Sequence, residues 1–284
     1  MIPEEFVGAV LSWGGATLRD LPWRRSRDPW GVLVSEVMSQ QTQVHRVIPK
    51  WEGFMTRFPT PQQCADASLG EVLQLWQGLG YPRRARDLHR CSEIIVERGR
   101  FPSELDELLE MPGIGDYTAR AVLAFAFGAD VAVVDTNVGR VLARVVGERL
   151  TPRSVRALAD GLVPEGEAWL WNQSLMDLGG TICRSRSPQC NDCPVQSWCV
   201  WKGGSSSDDP AVGSAGVSGR QSSFEGSRRQ ARGRLLKSLA QGPVVVVDVS
   251  EVMGRPKAEA ESILAGLVGD GLCQIIDGVV VLPR

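Results

Sequence analysis

Four cysteines near residue 190 have a spacing that could bind a metal centre. Six, two and five residues separate Cys183, Cys190, Cys193 and Cys199. Four thiolates in so short a segment can surround one compact centre of a soft metal, and an iron–sulfur cluster and a zinc ion are both candidates. The single C-x-x-C pair favours the cluster, because structural zinc sites often contain two such pairs. The other cysteines are isolated and are interpreted as core or surface residues: Cys64, Cys91 and Cys273.

Two carboxylates stand in apolar surroundings that could support acid–base chemistry. Glu36 lies in an otherwise apolar stretch of a predicted helix, and Asp135 ends the apolar run 132–134. Glu36 could equally lie on a solvated helix face, and Asp135 could simply cap the helix that begins near Val138. Two carboxylates in unlike environments can divide the roles of general acid and charge stabiliser.

A third signal lies in residues 108–122, where a predicted helix ends at Pro112 and another begins near Tyr117. The glycines between them, Gly113 and Gly115, allow the backbone to approach a partner closely. Free N–H groups at the start of the second helix suit a phosphate group. The pattern is typical of a helix-hairpin-helix that holds a DNA backbone, although an ordinary turn between two helices would look the same.

These residues must be positioned by a body in which helical periodicity dominates. Asp28 followed by Pro29 predicts a helix start with aspartate as the cap and proline in the first turn, and this helix is expected to reach Gln40. Further helical patterns cover 43–57, 69–78, 83–98, 104–110, 117–127, 137–146, 153–161 and 167–180. Because strand signals are nearly absent, the body is predicted to be mostly α.

The chain also divides by composition. Residues 203–223 contain five glycines and seven serines, which predicts a flexible linker between a body, 1–202, and a tail, 224–284. The tail has helical patterns, then two apolar runs joined by Asp277-Gly278, and such a pair is a strong hairpin signal. This order predicts a small α+β module like a winged helix.

Overall charge argues against a broadly basic nucleic-acid surface. The chain has 31 basic and 33 acidic residues, a net charge of −2, and 27 of the basic residues are arginine. Positive charge for a nucleic acid would therefore have to be local, and Arg83, Arg86, Arg184 and Arg186 offer such local charge. No apolar run approaches the ~20 residues of a membrane span, and the first residues lack the pattern of a signal peptide, so a cytoplasmic protein with no membrane partner is expected.

In this order along the chain, these features resemble the helix-hairpin-helix (HhH-GPD) DNA glycosylases, and within them the MutY-type adenine DNA glycosylases. The match covers about residues 5–200. The stretches that carry it, together with the four cysteines, are 21–24 (LPWR), 35–44 (SEVMSQQTQV), 78–81 (GLGY), 111–119 (MPGIGDYTA), 134–138 (VDTNV) and 176–179 (MDLG). The resemblance implies a two-lobed helical fold with DNA in the cleft, and an iron–sulfur subdomain holding a [4Fe-4S] cluster on the four cysteines.

The resemblance also implies a role for each candidate residue. Glu36 matches the general acid that protonates adenine, and Asp135 matches the carboxylate that stabilises an oxocarbenium-like sugar. Tyr117 and Asn137 match residues that line the pocket and orient the reacting groups. Strand-cleaving relatives carry a Schiff-base lysine where Tyr117 stands, so a monofunctional enzyme that leaves an abasic site is expected.

Contacts to DNA follow from the same resemblance. Gln40, Gln41, Thr42 and Tyr81 match residues that wedge into the base stack. Further DNA contacts are expected from the residues Arg24, Gly113, Gly115, Arg83, Arg86, Arg184 and Arg186. The implied partner is double-stranded DNA with a mismatched adenine, which a monomer would bind after flipping the base out.

Some features depart from the family pattern and leave alternatives open. Ser39 stands where leucine is usual, Pro82 where a second tyrosine is usual, and Thr136 where glycine is frequent. The tail is too short for the nudix-like domain that helps many members recognise 8-oxoguanine, and whether the tail contacts DNA or a protein stays open. Two rival functions are a glycosylase for another base, such as mismatched thymine or a damaged pyrimidine, and a non-catalytic iron–sulfur DNA-binding protein.

Overall fold

The structure is a computed structural model that describes residues 2–214 and 223–284. Its contacts divide the chain into two units. The first unit contains Met1–Val32, Ser103–Leu108 and Ile114–Arg220, and the second contains Leu33–Pro102, Leu109–Gly113 and Gln221–Arg284. Helix α2, Pro29–Ser39, begins in the first unit and continues into the second.

Helices form most of the first unit. Besides the start of α2, they are α1 (Glu4–Thr17), α7 (Leu105–Leu109, whose last residue belongs to the second unit), α8 (Asp116–Ala126), α9 (Thr136–Val146), α10 (Pro152–Asp160) and α11 (Ala168–Thr181). Helices α1 and α11 pack together, with the rings of Phe6 and Trp171 edge to face at 6.1 Å between centroids. The sequence predicted all of these except α1. At the start of α2, the backbone N–H of Gly31 donates to the Asp28 carboxylate at 2.7 Å, which confirms the predicted cap.

In the second unit, helices surround an aromatic core. They are α3 (Val44–Arg57), α4 (Pro61–Ala65), α5 (Leu69–Leu75) and α6 (Arg83–Arg98). Phe54 of α3 is fully buried, with its ring 5.1 Å from that of Phe58 and 6.4 Å from that of Trp76. Helix α5 begins with a capping box in which Ser68 and Glu71 bond each other's backbone N–H groups.

Residues 223–284, here called the C-terminal module, belong to the same second unit. The elements are α12 (Arg228–Leu239), β1 (Val244–Val245), α13 (Val249–Met253), α14 (Lys257–Gly269), β2 (Gln274–Ile276) and β3 (Val279–Val281). The three strands form an antiparallel sheet in the order β1-β3-β2. Asp277 and Gly278 both have positive φ, 49° and 77°, as a two-residue hairpin of the predicted kind requires. The order of helices and strands confirms the predicted winged-helix-like module.

The segment predicted as a linker is ordered in its first part. Asp209, Ala211 and Ser214 are buried in the first unit. The Asp209 carboxylate pairs with Arg144 at 2.6 Å, and the Ser214 hydroxyl accepts from the backbone N–H of Leu150 at 3.1 Å. The remainder of the predicted linker, 215–222, lies outside the described residues. In the described ranges, no helix is long and apolar enough to cross a membrane.

Candidate active site

Glu36 is a buried carboxylic acid. The side chains of α2 from Trp30 to Met38 are buried on every side of the helix, and Glu36 is only 8% exposed. The interpretation of Glu36 as part of a solvated helix face is therefore wrong. Because taking a carboxylate out of water costs free energy, a buried glutamate is a candidate for a functional group.

Asp135 caps helix α9 and also faces a polar partner. Its Oδ1 accepts from the backbone N–H groups of Asn137 and Val138 at 2.8 and 2.7 Å. Its Oδ2 accepts from the side-chain amide of Asn137 at 2.8 Å. Burial raises the pKa of Asp135, and these hydrogen bonds act in the opposite direction. The capping role expected from the sequence is real, and it fixes the carboxylate in one orientation.

Arg140 connects the hydrogen-bonded pair Asp135 and Asn137 to the cysteine segment. Its Nη2 donates to Asn137 Oδ1 at 2.7 Å and to the carbonyl of Gly179 at 2.6 Å. Its Nε donates to the carbonyl of Cys183 at 2.7 Å. A continuous chain of hydrogen bonds thus runs from Asp135 through Asn137 and Arg140 to the first cysteine of the segment.

All four cysteines of that segment line one cavity of the first unit. Arg144, on the next turn of α9 after Arg140, donates to Cys183 Sγ at 3.3 Å and to the carbonyl of Arg184 at 2.8 Å. Cys199 Sγ accepts the backbone N–H of Lys202 at 3.5 Å. Within 2–214 and 223–284, no three His, Cys, Asp or Glu side chains are grouped around a single metal-ion position, and an iron–sulfur cluster does not need such a group because each of its thiolates binds a different iron.

The predicted hairpin lies between α7 and α8. Gly113 has a φ of +73°, a conformation that strains other residues, and a Cβ there would lie 3.0 Å from Asp87 Cβ. Gly115 is the N-cap of α8, whose first turn receives no side-chain cap. Tyr117 lies in that turn and is half-buried. Asp116 pairs with Arg120 at 3.0 Å and also with Arg156, so its charge at the helix start is compensated.

Two strained loops of the second unit lie on either side of Arg84. Gln41 and Tyr81 have positive φ, 54° and 47°, which is uncommon for residues with a side chain. The Arg84 guanidinium donates to the carbonyls of Gln40 and Leu79 at 2.8 and 3.1 Å, and so ties the two loops together. Burial lowers the pKa of Arg84 to about 10, so it stays charged at neutral pH. Arg84 is a structural residue that the sequence analysis did not single out as one.

Comparison of the chain with known proteins identifies its family. A model described as HhH-GPD superfamily base excision DNA repair protein matches residues 34–165. The adenine DNA glycosylase of Mycolicibacterium smegmatis is 43% identical over 279 residues, which cover 95% of this chain and 93% of that protein. The chain belongs to the adenine DNA glycosylase family. The human adenine DNA glycosylase is 44% identical over 211 residues, which cover 68% of this chain and 39% of the human protein.

Solved structures of a thymine-DNA glycosylase and of endonuclease III share the fold. A thermostable thymine-DNA glycosylase aligns with a TM-score of 0.67 and 29% identity, over 70% of this chain and 95% of the other. A non-covalent endonuclease III–DNA complex aligns with a TM-score of 0.61 and 25% identity, over 71% of this chain and 97% of the other. Membership of the adenine DNA glycosylase family makes the chain a base excision repair enzyme with DNA as its partner.

Three of the arginines that were predicted to contact DNA instead pair with aspartates of this chain. Arg24 is buried, and its guanidinium makes two hydrogen bonds to Asp177 at 2.8 and 2.9 Å, so it is not placed to bind phosphate. Arg83 pairs with Asp270 at 2.6 Å, and Arg86 pairs with Asp87 at 2.7 Å. The two arginines of the cysteine segment are exposed, as a phosphate contact would require: Arg184 and Arg186.

The sequence analysis missed Arg140 and Arg144. They are four residues apart on α9, and both are buried, at 7% and 1% exposed. Two arginines on the apolar face of a helix are a signal in themselves, because a buried guanidinium must be paired or hydrogen-bonded. The partners of Arg140 are Asn137, the carbonyl of Gly179 and the cysteine segment. Arg144 bonds the cysteine segment and the carboxylate of Asp209.

Proposed function

We propose that the protein removes adenine mispaired with 8-oxoguanine or guanine from double-stranded DNA, with Glu36 as general acid and Asp135 as the electrostatic stabiliser. The observation that carries the assignment is that two carboxyl groups, one buried and one half-buried, lie in unlike surroundings. Glu36 is only 8% exposed on a helix whose side chains from Trp30 to Met38 are all buried, whereas Asp135 is half-buried at the start of α9, where it accepts three hydrogen bonds. Such a difference lets one group hold a proton while the other carries a charge.

The chemistry follows from these two groups. Adenine must first leave the base stack and enter a pocket. The Glu36 carboxyl group donates its proton to a ring nitrogen of adenine, and the bond between the base and the sugar C1′ breaks with its electron pair leaving on the base. The ionised Asp135 stabilises the positive charge left on the sugar. Water then adds to C1′ and returns a proton to Glu36, which leaves an abasic site.

Two further side chains support this reaction. The Asn137 amide donates to Asp135 Oδ2, which fixes the carboxylate that faces the sugar. Tyr117, in the first turn of α8, supplies a phenol where a strand-cleaving enzyme needs an amine. We infer that the enzyme is monofunctional, since a phenol cannot form a Schiff base.

The cysteine segment is proposed to hold a [4Fe-4S] cluster. A donor set of four thiols around one cavity fits this group, as does the N–H donor of Arg144 on Cys183 Sγ, because hydrogen bonds to sulfur tune such clusters. When bound, the cluster supplies four iron–thiolate bonds that hold the segment in place. Iron content of about four atoms per chain and absorption near ~400 nm are expected, and a colourless zinc protein would contradict the assignment.

DNA contacts are proposed at three places. Gln40, Gln41, Thr42 and Tyr81 enter the base stack from the two strained loops. The uncapped start of α8, with Gly113 and Gly115 before it, binds backbone phosphate, and Arg184 and Arg186 bind phosphate from the cysteine segment. We further propose that the enzyme acts as a monomer.

Substitution of the two carboxylates tests the mechanism. Glu36→Gln keeps the size of the side chain but removes its acidic proton, and it is expected to abolish adenine release while DNA affinity stays within about threefold. Asp135→Asn is expected to slow release by about 100-fold or more, the range seen when one electrostatic stabiliser is removed. Glu97→Gln, an exposed change on α6, is the matched control. Turnover by Glu36→Gln at the rate of the control would disprove the acid assignment.

A further inference from the structure

Tyr81 is held in a strained conformation by two arginines. Its φ of +47° is uncommon for a residue with a side chain, and such a conformation persists only where surrounding contacts fix it. The Arg84 guanidinium lies 5.5 Å from the centre of the tyrosine ring. Arg229 Nη1 donates to the phenolic oxygen at 2.9 Å, so the far end of the side chain is also held.

Arg229 comes from the C-terminal module, which is docked on α5 and α6 of the same unit. Asp270 is the centre of the contact: its carboxylate pairs with Arg83 and Arg232, each at 2.6 Å, and its carbonyl accepts from Arg86 Nη1 at 2.6 Å. These contacts use two of the arginines that the sequence analysis had assigned to phosphate.

A second contact fixes the end of the chain. The backbone N–H of Gly70, in the first turn of α5, donates to the carbonyl of Pro283 at 2.9 Å. A Cβ at Gly70 would lie 2.6 Å from that oxygen, so this position admits only glycine while the module is docked. Gln77 Nε2 donates to the carbonyl of Leu236 in α12 at 3.3 Å. Separate contacts therefore set the position of α12 relative to the Tyr81 loop.

The charges of the module do not suit independent reading of DNA. Helix α14, in the place of a recognition helix, carries Lys257, Glu259 and Glu261, with one more acid than base. Helix α12 is rich in arginine, and Arg228 and Arg229 extend in different directions from its first turn. Arg228 donates to Ser262 inside the module at 3.0 Å, whereas Arg229 reaches Tyr81.

We propose that Arg229 is a positioning residue for Tyr81. Through Arg229, the C-terminal module takes part in the distortion of DNA by Tyr81. The inference rests on the proposed role of Tyr81 as a wedge in the base stack. The guanidinium holds the phenol before DNA binds, so that less conformational freedom is lost when the ring enters the stack. The module thus contributes to base removal without a base contact of its own.

A double-mutant cycle tests this coupling. Arg229→Ala, Tyr81→Phe and the double variant are assayed for single-turnover adenine release and for affinity to a duplex with an abasic-site analogue. Each single change is expected to lower the rate constant by about threefold to tenfold, the value of one hydrogen bond. The double variant should be no slower than the slower single variant, because both changes remove the same contact.

Controls separate positioning from simple charge and from folding. Arg228→Ala removes the same charge from the same helical turn and should stay within twofold of wild type, whereas Arg229→Lys should recover part of the loss. Losses that multiply in the double variant, with a smaller salt dependence of binding for Arg229→Ala, would show direct phosphate contact and overturn the proposal. Tyr81→Phe leaves α12 untouched, so a wild-type rate and affinity for this variant would overturn it even if Arg229→Ala loosened the module.

Failure of the proposed function would look different. Wild-type protein that binds the duplex but releases no adenine would contradict the adenine assignment, and the cycle would then be read from affinity alone. If the effects of Arg229→Ala and Tyr81→Phe on affinity were additive, the proposed role of Arg229 would be contradicted independently of the adenine assignment.

Discussion

Replacement of Arg140 by lysine should slow base removal more than it weakens DNA binding. The guanidinium is 7% exposed and donates to four acceptors: Asn137 Oδ1 at 2.7 Å and the carbonyls of Thr136, Gly179 and Cys183 at 3.2, 2.6 and 2.7 Å. A lysine ammonium keeps the charge but has only three N–H donors, all on one atom, so it cannot serve all four acceptors. At least one buried acceptor is then left without a donor, which costs about 1–3 kcal/mol.

The size of the kinetic effect follows from the bond to Asn137. A hydrogen bond from a charged donor contributes about 1.5–3 kcal/mol, and 1.4 kcal/mol corresponds to a factor of ten in rate. If Asn137 must be held for Asp135 to face the sugar, Arg140→Lys should lower the single-turnover rate constant by about 10- to 100-fold. Affinity for an abasic-analogue duplex should change by less than about threefold.

The assay measures adenine release under single-turnover conditions together with iron per chain. Arg153→Lys, an exposed change on α10 of the same unit, is the matched control and should match wild type. A wild-type rate constant for Arg140→Lys would refute the reasoning. A loss of rate fully explained by a loss of iron would show that Arg140 holds the cysteine segment without orienting Asn137.

Three other predictions follow from the same contacts. Gly70→Ala should displace Pro283 and speed amide hydrogen exchange over 279–284. The control Gly266→Ala should not, because a Cβ there meets nothing within 4 Å. Equal exchange in both variants would contradict the docking contact. Arg24→Ala leaves the carboxylate of Asp177 with one arginine fewer and should destabilise the protein by about 3 kcal/mol in urea unfolding. Arg25→Ala breaks only an exposed pair with Asp20 and should leave the unfolding midpoint close to that of wild type. Burial raises the pKa of Asp135 above 3.8, so the folded state binds a proton on this carboxylate more tightly than the unfolded state does. The ionised form needed for catalysis is therefore lost as the pH falls through the raised pKa. The acid limb of the rate profile should therefore move to higher pH in Asn137→Ala, which removes a hydrogen bond to the carboxylate, and an unmoved limb would rule out this control of Asp135.

Local signals in the sequence predicted local structure well. The Asp28-Pro29 pair marks the start of α2, and Asp277-Gly278 forms the hairpin, because each depends on backbone conformations set by neighbouring residues. Helix α1 was missed because glycines weaken its helical signal. Its stability comes instead from packing on α11, where a Cβ at Gly14 would overlap the Ser174 hydroxyl, and no local pattern shows this.

Charged residues were harder to interpret, because their partners are distant in sequence. Arg24 looked like a DNA contact, yet its partner Asp177 lies 153 residues away. The local cluster at Arg83 and Arg86 is engaged by Asp270, in a module that was expected to follow a flexible linker. Residue type predicts that an arginine will bind an anion, but only the fold decides whether that anion is a phosphate or a carboxylate of the same chain.

The most direct test of the central claim is base release from three duplexes, with adenine opposite 8-oxoguanine, adenine opposite guanine, and thymine opposite guanine. The account predicts that adenine is released from the first two, that thymine is retained in the third, and that strands stay intact until the abasic sites are cleaved chemically. Release of thymine without release of adenine from either adenine duplex would contradict it.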